Sequence, residues 1–119
     1  MVAAVIVSAA MFFAGMGIYA FAAPGRLVAP FGVTLGSATA RSEVRAVYGG
    51  FGLAVAVVLL LALADPTLRR GIVVTVAAAL AGMASGRLMS AVDGRTPFYP
   101  NWFYFLVETA AAAALFAVA

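Results

Sequence analysis

Glu108 stands inside the run FYFLVETAAAAALF, residues 103–116, with large apolar residues and alanines on both sides. A carboxylate in such a place can act as a general acid or base, accept hydrogen bonds from a ligand, or form half of an ion pair. Candidate partners occur at Arg87, in GRLMSAVDG with Ser90 three residues on, and at Arg45, in SEVRAVYGG with Tyr48 three residues on. Arginine suits this role because its planar fork holds a carboxylate through two hydrogen bonds. The chain has no cysteine and no histidine. That excludes disulfides, thiol catalysis and thiolate or imidazole metal sites, and removes the commonest general base. No metal or cofactor is expected.

These residues belong to a chain of 119 residues, 66% hydrophobic and 9% charged. Soluble domains are about half apolar and about a quarter charged, so too few polar side chains remain here to cover a water-facing surface. Apolar runs at about 2–22, 43–64, 71–92 and 101–119 each approach the length of a membrane span, which is roughly 20 helical residues. The runs are continuous rather than alternating, which favours helices over a barrel. The expected fold is all-α: one domain over residues 1–119, an integral membrane bundle of four transmembrane helices. The first run ends in AFAAP, which resembles a signal-peptide cleavage site, but MVAAVIV carries no basic residue. It is therefore read as a permanent helix.

Residues 23–42 read as the longest connection, lying at the interface or dipping back into it. DPTLRR at 65–70 and DGRTPFYPN at 93–101 read as turns. Tyr99, Trp102 and Tyr104 are placed to form an interfacial aromatic belt. Arginines alone carry the positive charge; they are scattered and flank the apolar runs, so no nucleic acid partner is expected.

Such a topology puts both termini and the 65–70 turn on one side, and the long loop and the 93–101 turn on the other. Measured from the loop side, Arg45, Tyr48, Arg87 and Glu108 lie roughly 3, 8, 7 and 10 Å deep. Polar groups from three helices thus collect in one layer of one leaflet. A carboxylate facing lipid is strongly disfavoured, so Glu108 is expected to face the bundle interior, within reach of Arg87 or Arg45. Arg45, Tyr48, Arg87, Ser90 and Glu108 form the candidate ligand-binding or buried polar site. A purely structural ion pair explains Arg87 and Glu108 equally well. Buried pairs often add little net stability, however, and intramembrane charges commonly mark functional sites. Small residues mark the expected helix contacts: Gly49 and Gly52 on the second helix, and Ala78, Gly82 and Gly86 at four-residue spacing on the third, the latter against a helix within the chain or across an oligomer.

Taken in order, SEVRAVYGGFGLAVAVVLLL, GRLMSAVDG and VET resemble the small bacterial four-helix membrane proteins of domain-of-unknown-function family 4345. The positions that carry the resemblance are Glu43, Arg45, Tyr48, Gly49, Gly50, Gly86, Arg87, Ser90, Asp93, Gly94 and Glu108, and it covers about residues 1–118. Ser42 stands where the pattern has asparagine. The resemblance implies a four-helix membrane fold in the bacterial inner (cytoplasmic) membrane, and it brings no assigned activity.

Three functions fit these residues. The first is a non-catalytic accessory subunit, or a binder of a lipid or small lipophile, with the polar layer as its head-group site. Its partners would be membrane lipid, another membrane protein, or further copies of the chain as a homo-oligomer. The second is an isomerase-like intramembrane enzyme with Glu108 as acid or base and Tyr48 as proton donor. The third is a small proton-coupled transporter that titrates Glu108. The small extramembrane portion and the missing nucleophile–base pair favour the first.

Overall fold

A computed structural model describes residues 1–119. It is all-α, 87% helical and without strands. Four helices are long and apolar enough to cross a membrane: α1 (Val2–Ala22), α2 (Ala38–Ala64), α3 (Pro66–Val92) and α4 (Phe98–Val118).

Proline sets the breaks between them, because a residue preceding proline is pushed out of the α region. Ala23 (φ −144°, ψ 66°) ends α1 before Pro24. Asp65 (φ −123°, ψ 99°) separates α2 from α3 before Pro66. Tyr99 (φ −98°, ψ 134°) interrupts the first turn of α4 before Pro100. Asp65 is also the cap of α3: its Oδ1 accepts from the Thr67 and Leu68 N–H groups at 2.9 and 3.3 Å. Arg69 folds back to donate to the Ala62 and Leu63 carbonyls at 2.8 and 3.0 Å. Those carbonyls belong to the last turn of α2, which has no helical partner for them.

Apolarity placed the second and third helices at residues 43 and 71, whereas they begin at Ala38 and Pro66. A hydropathy pattern marks only the part of a helix suited to hydrocarbon. The helix itself runs on through polar residues to its cap, Ser37 for α2, whose Oγ accepts from the Ala40 N–H at 3.1 Å. DPTLRR is therefore mostly the first turn of α3 rather than a loop.

The long connection is folded. Pro24–Val28 is a short helix, followed by a 3₁₀ turn at Ala29–Phe31. Gly32 then reverses the chain at φ +75°, where a side chain would be strained. Pro24 and Val28 are buried, so this segment lies against the bundle.

The bundle is flat, measuring 44 × 32 × 17 Å. Its apolar core joins all four helices through residues such as Ile6, Phe13, Leu59, Val73, Leu80 and Leu115. Helices α1 and α2 approach most closely over glycine. A Cβ added at Gly52 would lie 2.9 Å from the Phe13 carbonyl oxygen, and one at Gly17 would lie 2.9 Å from that of Gly49. Gly49 itself faces the Phe21 ring. The expected contacts at Gly49 and Gly52 are present.

The expected contact along Ala78, Gly82 and Gly86 is absent within the chain. All three are exposed, and a Cβ at Gly82 or Gly86 would meet nothing within 4 Å. The face that α3 buries carries Val73, Val76, Ala77, Leu80 and Ala84, roughly 180° round the helix. Arg87 continues that face, seven residues after Leu80. With Arg87 turned inward, the stripe of small residues must point outward.

The outer surface suits lipid. Met11, Val57, Leu60 and Leu106 are each at least half exposed. The outward hydroxyls of Ser8, Thr75 and Ser85 donate to carbonyls four residues earlier, at 2.7, 2.7 and 2.8 Å. No hydrogen-bonding capacity is then wasted toward an apolar medium.

The glycines give a direct test of this packing. Gly52→Ala forces a methyl group against backbone and is expected to lower stability by about 1–3 kcal/mol. Gly82→Ala fills open space and is expected to be neutral or slightly stabilising. Thermal unfolding of both variants in detergent, followed through Trp102 fluorescence, checks the contrast.

Candidate functional site

Arg87 and Glu108 meet between α3 and α4. Nε of Arg87 donates to Oε1 of Glu108 at 2.8 Å, and Nη2 donates to Oε2 at 3.0 Å. Glu108 shares one face of α4 with Ala112 and Leu115, which are part of the apolar core, and it is only 1% exposed. Arg87 keeps 22% of its side chain accessible. Such a two-pronged bond is the strongest arrangement available to this pair.

Two aromatic rings hold the guanidinium. Its Cζ lies 5.7 Å from the Phe31 centroid and 5.6 Å from that of Tyr104. Both distances are within cation–π range, about 6 Å. Tyr104 stands one turn before Glu108 on α4. Phe31 comes from the folded connection, and its ring packs on Tyr104 with centroids 5.7 Å apart. The connection therefore carries one wall of the site.

A cavity of about 490 Å³ opens in front of Arg87. That is within the usual range of ligand pockets, about 300–1,000 Å³. Its walls are Met11, Phe12, Gly15, Met16 and Tyr19 of α1; Leu27, Val28, Phe31 and Val33 of the connection; Tyr48 of α2; Met83 of α3; and Tyr104 of α4. Only Arg87 and Glu108 among the lining residues are charged. Tyr48 reaches the cavity from a wide helical turn, Arg45–Gly50, in which the backbone bonds span five residues instead of four. Such turns put one extra residue into a helix and occur often at functional sites.

Three of the residues singled out in the sequence thus come together: Arg87, Glu108 and Tyr48. Arg45 does not join them. Its Nε donates to the Phe21 carbonyl at 3.1 Å, serving the last turn of α1, where carbonyls lack helical partners. Ser90 does not join them either. It opens a tighter 3₁₀ turn, Ser90–Val92, is exposed, and lies outside the cavity wall. Of the expected belt residues, Tyr104 turns out to be part of the site. Phe31, Tyr19 and the methionines were not singled out. The only sequence signal for Phe31 was the apolar stretch LVAPFGV within a loop otherwise rich in small residues.

Fold and site define an all-α protein with four helices long and apolar enough to cross a membrane and a cavity lined in part by an ion pair. Residues 1–119 match the family described as a domain of unknown function, DUF4345, and the chain belongs to that family. No curated protein and no solved structure shows a match.

The ion pair yields a prediction about stability. Arg87→Met strands a fully buried carboxylate and is expected to cost about 3–5 kcal/mol. Glu108→Gln is expected to cost less, because its partner is part-exposed and lies against two rings, and the glutamine oxygen still accepts a hydrogen bond. The double variant, with no charge left behind, is expected to recover part of the Arg87→Met loss. A loss in the double variant equal to the sum of the two single losses would show that the pair is not coupled.

Proposed function

We propose that this protein is an integral membrane protein that binds a lipid or small lipophile within one leaflet, without catalysis, as an accessory component of the membrane. One observation carries the reading: the cavity at Arg87 is walled mostly by apolar and aromatic side chains, and its only charged groups are the Arg87–Glu108 pair. A ligand that matches it has an apolar body and one small polar group. The membrane placement is supported by four apolar helices and by an outer surface of large aliphatic side chains.

An acid–base or proton-coupled role for Glu108 has weaker support. Both of its oxygens are engaged by Arg87, and neither a nucleophile nor a second carboxylate lines the cavity.

The test uses Gly15, which lines the cavity and has nothing within 4 Å of a Cβ built on it. Gly15→Phe is expected to fill the space without disturbing helix packing. After gentle purification, mass spectrometry of the native protein is expected to find a bound lipophile. The Gly15→Phe variant, folded to the same melting temperature, is expected to have lost it. An identical set of bound molecules in both proteins counts against the proposal.

A further inference from the structure

The cavity carries a more specific reading, which rests on the lipophile-binding proposal above. We infer that its ligand is uncharged and presents a carbonyl oxygen, or a similar acceptor, to the free edge of Arg87.

The argument begins with a count of donors. A guanidinium has five N–H groups. Glu108 takes one from Nε and one from Nη2, and Arg87 makes no other hydrogen bond. One N–H on Nη2 and both on Nη1 are left without a protein acceptor. No buried side-chain nitrogen in the chain lacks a partner, so Nη1 lies on the accessible surface, and Arg87 lines the cavity. Donors at the end of an apolar cavity call for an acceptor.

Charge then restricts what the acceptor can be. Arg87 and Glu108 sum to zero, and no other charged residue lines the space. A phosphate or carboxylate would bring an uncompensated charge into an apolar site, which is strongly disfavoured. A cation finds no free carboxylate, because Glu108 is sealed and both its oxygens are bonded. An uncharged acceptor meets neither obstacle.

The rings occupy one side of the guanidinium. Phe31 and Tyr104 lie close to the guanidinium carbon. The outer edge of the guanidinium remains, and a carbonyl oxygen there accepts from the fork in its own plane. Beyond it, Met11, Met16 and Met83 line the space for the apolar body. Methionine adapts to irregular shapes, so the walls specify apolarity more than outline.

Two sources offer this chemistry: the ester carbonyl of a membrane acylglycerol, and the ketone or ester carbonyl of a free single-chain lipophile. Binding by the purified wild-type protein in detergent is measured with dioleoylglycerol, methyl oleate, 2-nonadecanone, octadecane, oleate and oleylamine. The three carbonyl probes are expected to bind at least about tenfold more tightly than octadecane, from one hydrogen bond to a charged donor. Among them, the tighter of dioleoylglycerol and the single-chain pair identifies the source. In Arg87→Met the carbonyl preference is expected to vanish while octadecane binding persists. Methyl oleate labelled with ¹³C at its carbonyl is expected to show a lowered stretching frequency in the wild-type protein, a readout independent of any variant. Octadecane binding as tightly as the carbonyl probes, or oleate or oleylamine binding more tightly, overturns the inference and leaves lipophile binding standing. Failure of every probe, octadecane included, overturns both.

Discussion

A carboxylate sealed among alanines and leucines has to be met by a cation, and Arg87 is the cation that reaches Glu108. Much of the geometry follows from that meeting. It sets the rotation of α3, because Arg87 must lie on the buried face with Leu80 and Ala84. It sets α3 against α4. It also puts a guanidinium where Tyr104 and Phe31 can close on it, which ties the long connection to the bundle. In hydrocarbon the hydrophobic effect does not drive helices together, so close packing and polar bonds between them have to do more. Here one two-pronged bond acts between α3 and α4, and glycine contacts act between α1 and α2.

The two ends of the bundle divide the work. Toward the Asp65 connection, Ile6, Leu59, Val73 and Leu115 pack into a core with essentially no exposure. Toward the long connection the helices leave space, and the space is bounded by methionines, tyrosines and a folded loop. The wide turn at Arg45–Gly50 lies at this second end, where α2 directs Gly49 at Phe21 and Tyr48 at the cavity. A regular helix presents residues 100° apart in fixed order, and the wide turn relaxes that constraint where two neighbours compete for the same arc.

Much of this was legible in the sequence. The four helices follow from apolar length, and an arginine partner for Glu108, at Arg87 or Arg45, follows from depth, since a buried charge leaves few options. Rotation about the helix axis was harder to read. The Ala78, Gly82, Gly86 repeat has the spacing of a contact face, yet spacing cannot say which neighbour is present, and the face opposite carries Leu80 and Arg87. Arg45 stands at the expected level but is drawn to the carbonyl at the end of α1, a group that no pattern of side chains reveals. Phe31 was hidden for a related reason. Its place depends on the reversal at Gly32 and on Tyr104, far along the chain, and loops carry no periodicity to read.

Asp65 alone separates α2 from α3, helices of 27 residues each. At 1.5 Å per residue each is about 40 Å long. With one residue between them, the two form a helical hairpin. Its tip carries Asp65, Arg69 and Arg70, with Arg69 folded onto the carbonyls of α2. In a bilayer crossed by all four helices, the side on which that tip rests would fix the side of the long connection as well.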